Sequence, residues 1–220
     1  MTALRTTALC LALSAVLAAW GGATPSTIIY IPSTDTCPEG TVHLDYDTLF
    51  TVGQGSDNST ASSIGAVYGV TERLEVGFDY LTNTTNPVVG NAKYRVWNDD
   101  RFTVAVGAWL LGDEGTTGAN QVYGLASYRC EAGRFAAGFA HGSRATLGAD
   151  QNQLWLSYDR ALDDKWWVGA DYVSGGSPMG SLNLGVSYAI ADNVSMIVGY
   201  DLYNAAGAND TVTVQLDANF

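Results

Sequence analysis

Hydrophobic and polar residues alternate along this chain almost without pause from residue 40 to its last residue. The pattern is plainest at the end. Val212, Val214, Leu216, Ala218 and Phe220 fall on one side of an extended chain, and Thr213, Gln215, Asp217 and Asn219 on the other. Period-two alternation is what a strand gives when one face is apolar and the other is wet. The same pattern predicts strands over 41–52, 61–70, 73–81, 91–97, 102–111, 121–130, 134–141, 152–160, 166–173, 181–190, 194–203 and 210–220.

The connections alternate in kind. Short turns stand at 71–72, 98–100, 131–133, 162–164 and 191–193. Longer stretches rich in Gly, Asn, Thr and Ser stand at 53–60, 82–90, 112–120, 142–151, 174–180 and 204–210. An even number of strands, with every short turn at one end and every long loop at the other, is the plan of a transmembrane barrel. The expected fold is therefore all-β: a closed, antiparallel, up-and-down barrel of about twelve strands, spanning residues 40–220, with short periplasmic turns and longer extracellular loops.

The apolar phase supports a lipid-facing exterior. Tyr46, Tyr68, Tyr80, Tyr128, Tyr158, Trp166, Tyr172, Tyr188 and Tyr200 lie on it, mostly near strand ends, as interfacial girdles require. A soluble barrel would show the reverse, apolar inside and polar outside.

The opposite phase carries the charge. Asp45, Asp47, Glu75, Asp79, Asp159, Asp171, Asp201 and Asp217 stand against Lys93, Arg95, Arg129 and Arg134, with His43 among them. Pairing 73–81 with 91–97 around Asn86 would set Asp79 opposite Lys93, with Arg95 diagonal to Glu75 and Asp79. Two readings stay open: a charge-lined constriction that selects solutes, or ion pairs that satisfy one another and fill the bore. Twelve tilted strands imply about 24 Å between opposite backbones and roughly 10 Å of bore. Small inward residues such as Gly65, Gly69, Gly107 and Gly185 either leave that bore open or make room for a plug.

Composition narrows the class. The net charge is −12 and charged residues make up only 15% of the chain, which excludes the basic face a nucleic-acid binder needs. Residues 1–23 read as a secretory signal, with Arg5, an apolar run over 8–19 and Gly21-Gly22-Ala23 as the cleavage region. Residues 24–39 contain Ile28-Ile29-Tyr30-Ile31-Pro32, too apolar to dangle in water, and form a candidate periplasmic plug. Cys37 and Cys130 both fall toward the periplasmic side, so a disulfide tying this segment across the barrel floor is expected. No P-loop, dinucleotide fingerprint or nucleophile elbow is present, and the two histidines lie at opposite ends of the barrel. No cofactor and no metal site are expected.

Two resemblances add to this. Tyr30-Ile-Pro-Ser-Thr-Asp35, His43-Leu-Asp-Tyr-Asp47, Glu75-Val-Gly-Phe-Asp-Tyr80, Asn91-Ala-Lys93 and Gln215-Leu-Asp-Ala-Asn-Phe220 resemble an uncharacterised family of Gram-negative outer-membrane barrel proteins. The likeness is strongest before residue 95 and at the C-terminus. It implies an outer-membrane barrel and brings no substrate. With the secretory signal, outer-membrane lipids are expected as partners. The closing strand, ending on the aromatic Phe220, resembles the signal that the barrel-assembly machinery reads.

Separately, His141, Ser143 and Asn152 are similar to the arrangement of outer-membrane phospholipase A, in which serine would be nucleophile, histidine base and asparagine its orienter. Arg144 and Gln153 depart from that family's context. An interfacial histidine among loop polar groups is the preferred reading. The functional expectation is a narrow passive channel for small solutes or ions, leaning toward cations, with a lipid hydrolase or a purely structural barrel as alternatives.

Overall fold

The computed structural model describes residues 26–53 and 60–220. The expected signal segment 1–23, the first two residues of the 24–39 segment and most of the first long loop lie outside the described residues.

Twelve strands form: β1 (Val42–Thr51), β2 (Thr60–Thr71), β3 (Leu74–Leu81), β4 (Val88–Asn98), β5 (Phe102–Leu111), β6 (Gln121–Cys130), β7 (Gly133–His141), β8 (Asn152–Ala161), β9 (Trp166–Val173), β10 (Ser181–Ala191), β11 (Val194–Tyr203) and β12 (Thr211–Asn219). Each pairs with its sequence neighbours, and β12 pairs antiparallel with β1, which closes the barrel and leaves no free edge. The short helix α1 (Arg144–Leu147) interrupts the loop between β7 and β8.

Exposed apolar residues lie on the outward phase of the strands, among them Ile64, Phe78, Phe102, Phe139, Leu154 and Leu184. A belt this large in water would be an aggregation surface; in a bilayer it is the lipid face. Every backbone group of a closed barrel is paired within the sheet, which is why strands can cross where irregular chain cannot.

The register between β3 and β4 differs from the one expected. Lys93 pairs with Glu75, and Asp79 stands opposite Val89. The loop is tighter than its composition suggested, because Asn83 and Asn86 take positive φ of 60° and 56° and Leu81 N–H donates to the Pro87 carbonyl. Strand β4 therefore starts at Val88, ahead of the expected 91, and the pairing slides along the strand without changing face.

Residues 26–39 lie inside the barrel. The Ile28 N–H donates to the Ile31 carbonyl at 2.9 Å, and Thr27 bridges Pro32, which makes a tight hairpin. Glu39 runs beside Gly69 at the short-turn end. A Cβ at Gly69 would fall 1.9 Å from the Pro38 carbonyl oxygen, so only glycine lets the segment pass there. From that end the hairpin climbs the lumen, where a segment tied across the floor had been expected. Its tip is packed among residues from the loop-side half of β6, β8 and β9.

Candidate functional site

The lumen is built by the inward phase of all twelve strands, and the hairpin divides it. On the side of β6 to β10 the space is full. Ile31 packs with Tyr123, Leu125, Trp155 and Val173 from the strands, and with Ala119, Leu147 and Met179 from the long loops that fold over them. Ile28 and Ile29 pack on Trp167. A Cβ at Gly185 would sit 3.0 Å from Ile29 Cδ1, so this inward glycine serves the hairpin.

Polar groups hold the hairpin in place. The backbone N–H groups of Ile29, Tyr30 and Ile31 all donate to Asp171 Oδ2, at 2.9, 2.8 and 3.2 Å, and Asn183 Nδ2 donates to Asp171 Oδ1 at 2.6 Å. Three converging N–H groups around a carboxylate oxygen form an anion nest, and each such bond is charge-assisted. Gln215 Nε2 donates to the Ile29 carbonyl at 2.8 Å. Lower down, Thr34 Oγ1 lies 2.7 Å from Ser127 Oγ, Arg134 bridges Asp35 and Asp159, and Glu75 accepts from the Cys37 N–H at 2.6 Å. Lys93 Nζ reaches both Glu75, at 3.0 Å, and the Ser26 carbonyl, at 3.1 Å.

On the side of β12 and β1 to β5 a cavity of about 260 Å³ remains, reaching from His43 to Leu81 and walled by Tyr30, Trp109 and Tyr123. Its lining includes Asp45, Asp47, Asp79 and Asp217. Asp217 stands opposite Asp45, Asp45 opposite Gly65, and Gly65 opposite Asp79, so three carboxylates lie in one row across four strands. His43 Nε2 is 3.5 Å from Asp217 Oδ1, and Asn91 Nδ2 donates to Asp79 at 2.5 Å. Among the described residues no Lys or Arg pairs with Asp45, Asp47 or Asp79.

The inward charges therefore divide between the two readings left open by the sequence. Lys93, Glu75, Arg134 and Asp159 form ion pairs, and Asp171 holds the hairpin. Asp201 accepts from Thr211 Oγ1 at 2.7 Å. Arg129 stands opposite Arg134 on the neighbouring strand. Arg95 remains diagonal to Glu75 but donates to the Glu72 carbonyl at the short-turn end, away from Asp79, beside which it was also expected. The remaining carboxylates line the cavity.

The expected disulfide is absent. Cys37 is buried, with its Sγ donating to the Thr41 carbonyl at 3.4 Å, and Cys130 is exposed; both are free thiols. Position 130 follows the inward Arg129, so its side chain points to the lipid phase, and the barrel wall stands between the two sulfurs.

His141 and Asn152 are paired across β7 and β8, with His141 Nδ1 2.9 Å from Asn152 Oδ1. Ser143 caps α1, its Oγ accepting from the Ala145 N–H at 3.2 Å. The structure thus joins two of the three polar residues and gives the hydroxyl of the third a capping role.

The inward aromatics were not foreseen. Trp109, Tyr123, Trp155 and Trp167 lie on the phase expected to be polar. Trp109 and Trp155 meet edge to face at 5.8 Å, and Tyr30 meets Trp109 in the same way at 6.3 Å. The available signal was the apolar 28–31 run, which needed apolar partners somewhere on the inward phase.

Fold and lumen together define a closed, twelve-stranded transmembrane β-barrel with a partly filled bore. No family model matches the chain, and no curated protein matches it in sequence. Among solved structures it is similar to the KdgM porin, with a TM-score of 0.61 and 12% identity over 81% of this chain and 99% of that one. A KdgM porin in complex with disordered oligogalacturonate gives a TM-score of 0.58 and 10% identity, over 82% and 99%. The Acinetobacter baumannii outer membrane protein Omp33 gives a TM-score of 0.53 and 11% identity, over 82% and 98%. At these identities the likeness is one of fold.

Proposed function

We propose that this protein is an outer-membrane channel of narrow bore that passes small solutes or ions, favours cations, and carries residues 26–39 as an internal plug. The observation that carries the reading is the row Asp217, Asp45 and Asp79 along a cavity that the hairpin leaves open. Carboxylates lining a passage with low-dielectric walls raise the local concentration of cations and repel anions. A polyanion such as the oligogalacturonate bound to the KdgM porin would meet like charge here. In this reading the apolar exterior contacts outer-membrane lipid, delivery follows cleavage of residues 1–23, and Phe220, 69% exposed on the outward phase beside β1, serves the assembly machinery.

Planar-bilayer recording under a potassium chloride gradient tests the reading. The expected result is a small conductance whose reversal potential reports cation preference, reduced roughly threefold in Asp45→Asn/Asp79→Asn. Anion preference, or no conductance with or without residues 26–36, would sink it.

A further inference from the structure

The cavity beside the hairpin carries more negative charge than its surroundings balance. Asp45, Asp47, Asp79 and Asp217 share it, and His43 is the one basic group in contact with any of them among the described residues. Lys93, at its edge, is held by Glu75 and the Ser26 carbonyl. Burying like charges together is costly unless something brings positive charge or N–H donors among them.

Among the carboxylates lining the cavity, Asp217 keeps a buried oxygen without a donor. The residue is 4% exposed; its Oδ1 faces His43 and its Oδ2 is buried with no hydrogen-bond partner. A buried carboxylate oxygen without a donor is a position a ligand would fill.

The arrangement of the other two carboxylates points the same way. A Cβ built on Gly65 would stand 2.3 Å from an oxygen of Asp45 and 2.4 Å from one of Asp79, so both carboxylates lean into the space over this glycine. Asp217 enters from the neighbouring strand at the same level. Asp45 and Asp79 thus converge on one point, while Asp217 stands one strand further along the row. No group of three among the described residues is set to hold a metal. Trp109 and Tyr123 also line the cavity, and aromatic rings attract organic cations.

We infer that the cavity over Gly65 is a binding site for a small organic cation bearing separated N–H donors, a diamine or an alkylguanidinium, held by Asp217, Asp45 and Asp79. At about 260 Å³ the space lies just below the usual range for drug-sized ligands, so a short-chain amine fits it and a bulky one does not. The inference rests on the reading of this cavity as the solute passage, and it names the class of solute the passage holds.

The test is calorimetric titration of the full chain, folded in detergent micelles, with 1,4-diaminobutane, calcium chloride and galacturonate. Expected is saturable binding of the diamine, weakened at least tenfold in Asp45→Asn/Asp79→Asn and unchanged in Asp192→Asn, an exposed turn variant. Heat-modified mobility in gels confirms that each variant is folded. Gly65→Ala adds a methyl group where the carboxylates converge and removes no charge; it should weaken diamine binding as well. Diamine binding indifferent to both Gly65→Ala and the double variant would overturn the inference. So would calcium binding with the same carboxylate dependence in place of the diamine, or equal binding of galacturonate. Because micelles carry no gradient, a channel that conducts cations without binding diamine refutes this site alone. Binding without conduction refutes the channel alone.

Discussion

The two sides of the lumen are built alike, from the inward phase of neighbouring antiparallel strands, yet one is solid and the other hollow. On the β6 to β10 side, inward Tyr123, Leu125, Trp155, Trp167 and Val173 meet an apolar hairpin and folded-in loop residues, and each acid has a donor. On the β12 and β1 to β4 side, polar inward residues predominate, Asp45, Asp47, Asp79, Asn91, Gln215 and Asp217 among them, and no apolar cluster of the described residues meets the hairpin there. Apolar inward residues recruited a filling, whereas acidic ones kept a space. The barrel wall sets a diameter, and the choice of inward side chain decides how much of it stays open.

The largest effect should come from removing the filling. Deletion of residues 26–36 should raise single-channel conductance roughly tenfold, since most of the bore set by twelve strands would then be water. If conductance stays the same, the hollow side is the whole passage and the hairpin is only structural.

The next effect separates the sides by packing. Trp155→Ala should cost about 3–5 kcal/mol in urea unfolding of the micelle-bound protein, because the ring is fully buried among aromatic and aliphatic neighbours. Leu49→Ala, at the wall of the existing cavity, should cost about 1 kcal/mol, since the space beside it is already empty. Equal costs would mean that the two sides are packed alike.

Asp171→Asn should be smaller, about 2 kcal/mol, because an amide oxygen replaces the anion that gathers three N–H groups. Its signature would be more frequent openings in bilayer traces, with the cation preference of the hollow side unchanged.

The smallest effect lies outside both. In the turn before β9, hydrogen bonds from the Lys165 and Trp166 N–H groups hold the Asp163 carboxyl below the ordinary carboxylate value. A depressed folded-state value means the contribution is present at neutral pH and is lost as pH falls through the folded value. Asp163→Asn should therefore change unfolding slightly at pH 7, by an amount that shrinks as pH falls through the folded value, with the lumen contrast untouched.

The wall was legible in the sequence and much of its content was not. Strict alternation specified which residues of β1, β6 or β12 face inward, because a one-residue error would put aspartates in lipid. The β3–β4 register was out of reach: the loop after Leu81 can close at several lengths, and two asparagines with positive φ chose the shortest. Arg95 and the cysteines were misplaced for a related reason. Nearness to the short-turn end was read correctly, but the direction in which each side chain leaves the wall was not applied to Cys130. The cavity row depends on pairings across β12, β1, β2 and β3. Once those pairings are known, Asp217, Asp45 and Asp79 fall into line.

The free thiols make the molecule its own reporter. Cys37 is sealed at the foot of the hairpin and Cys130 stands on the outer wall, so a bulky water-soluble thiol reagent has no route to the first while the plug is seated. Any withdrawal of the hairpin uncovers Cys37. The rate at which that sulfur becomes reactive, read in a Cys130→Ser background so that the exposed thiol contributes nothing, is then a clock for how often the proposed passage opens.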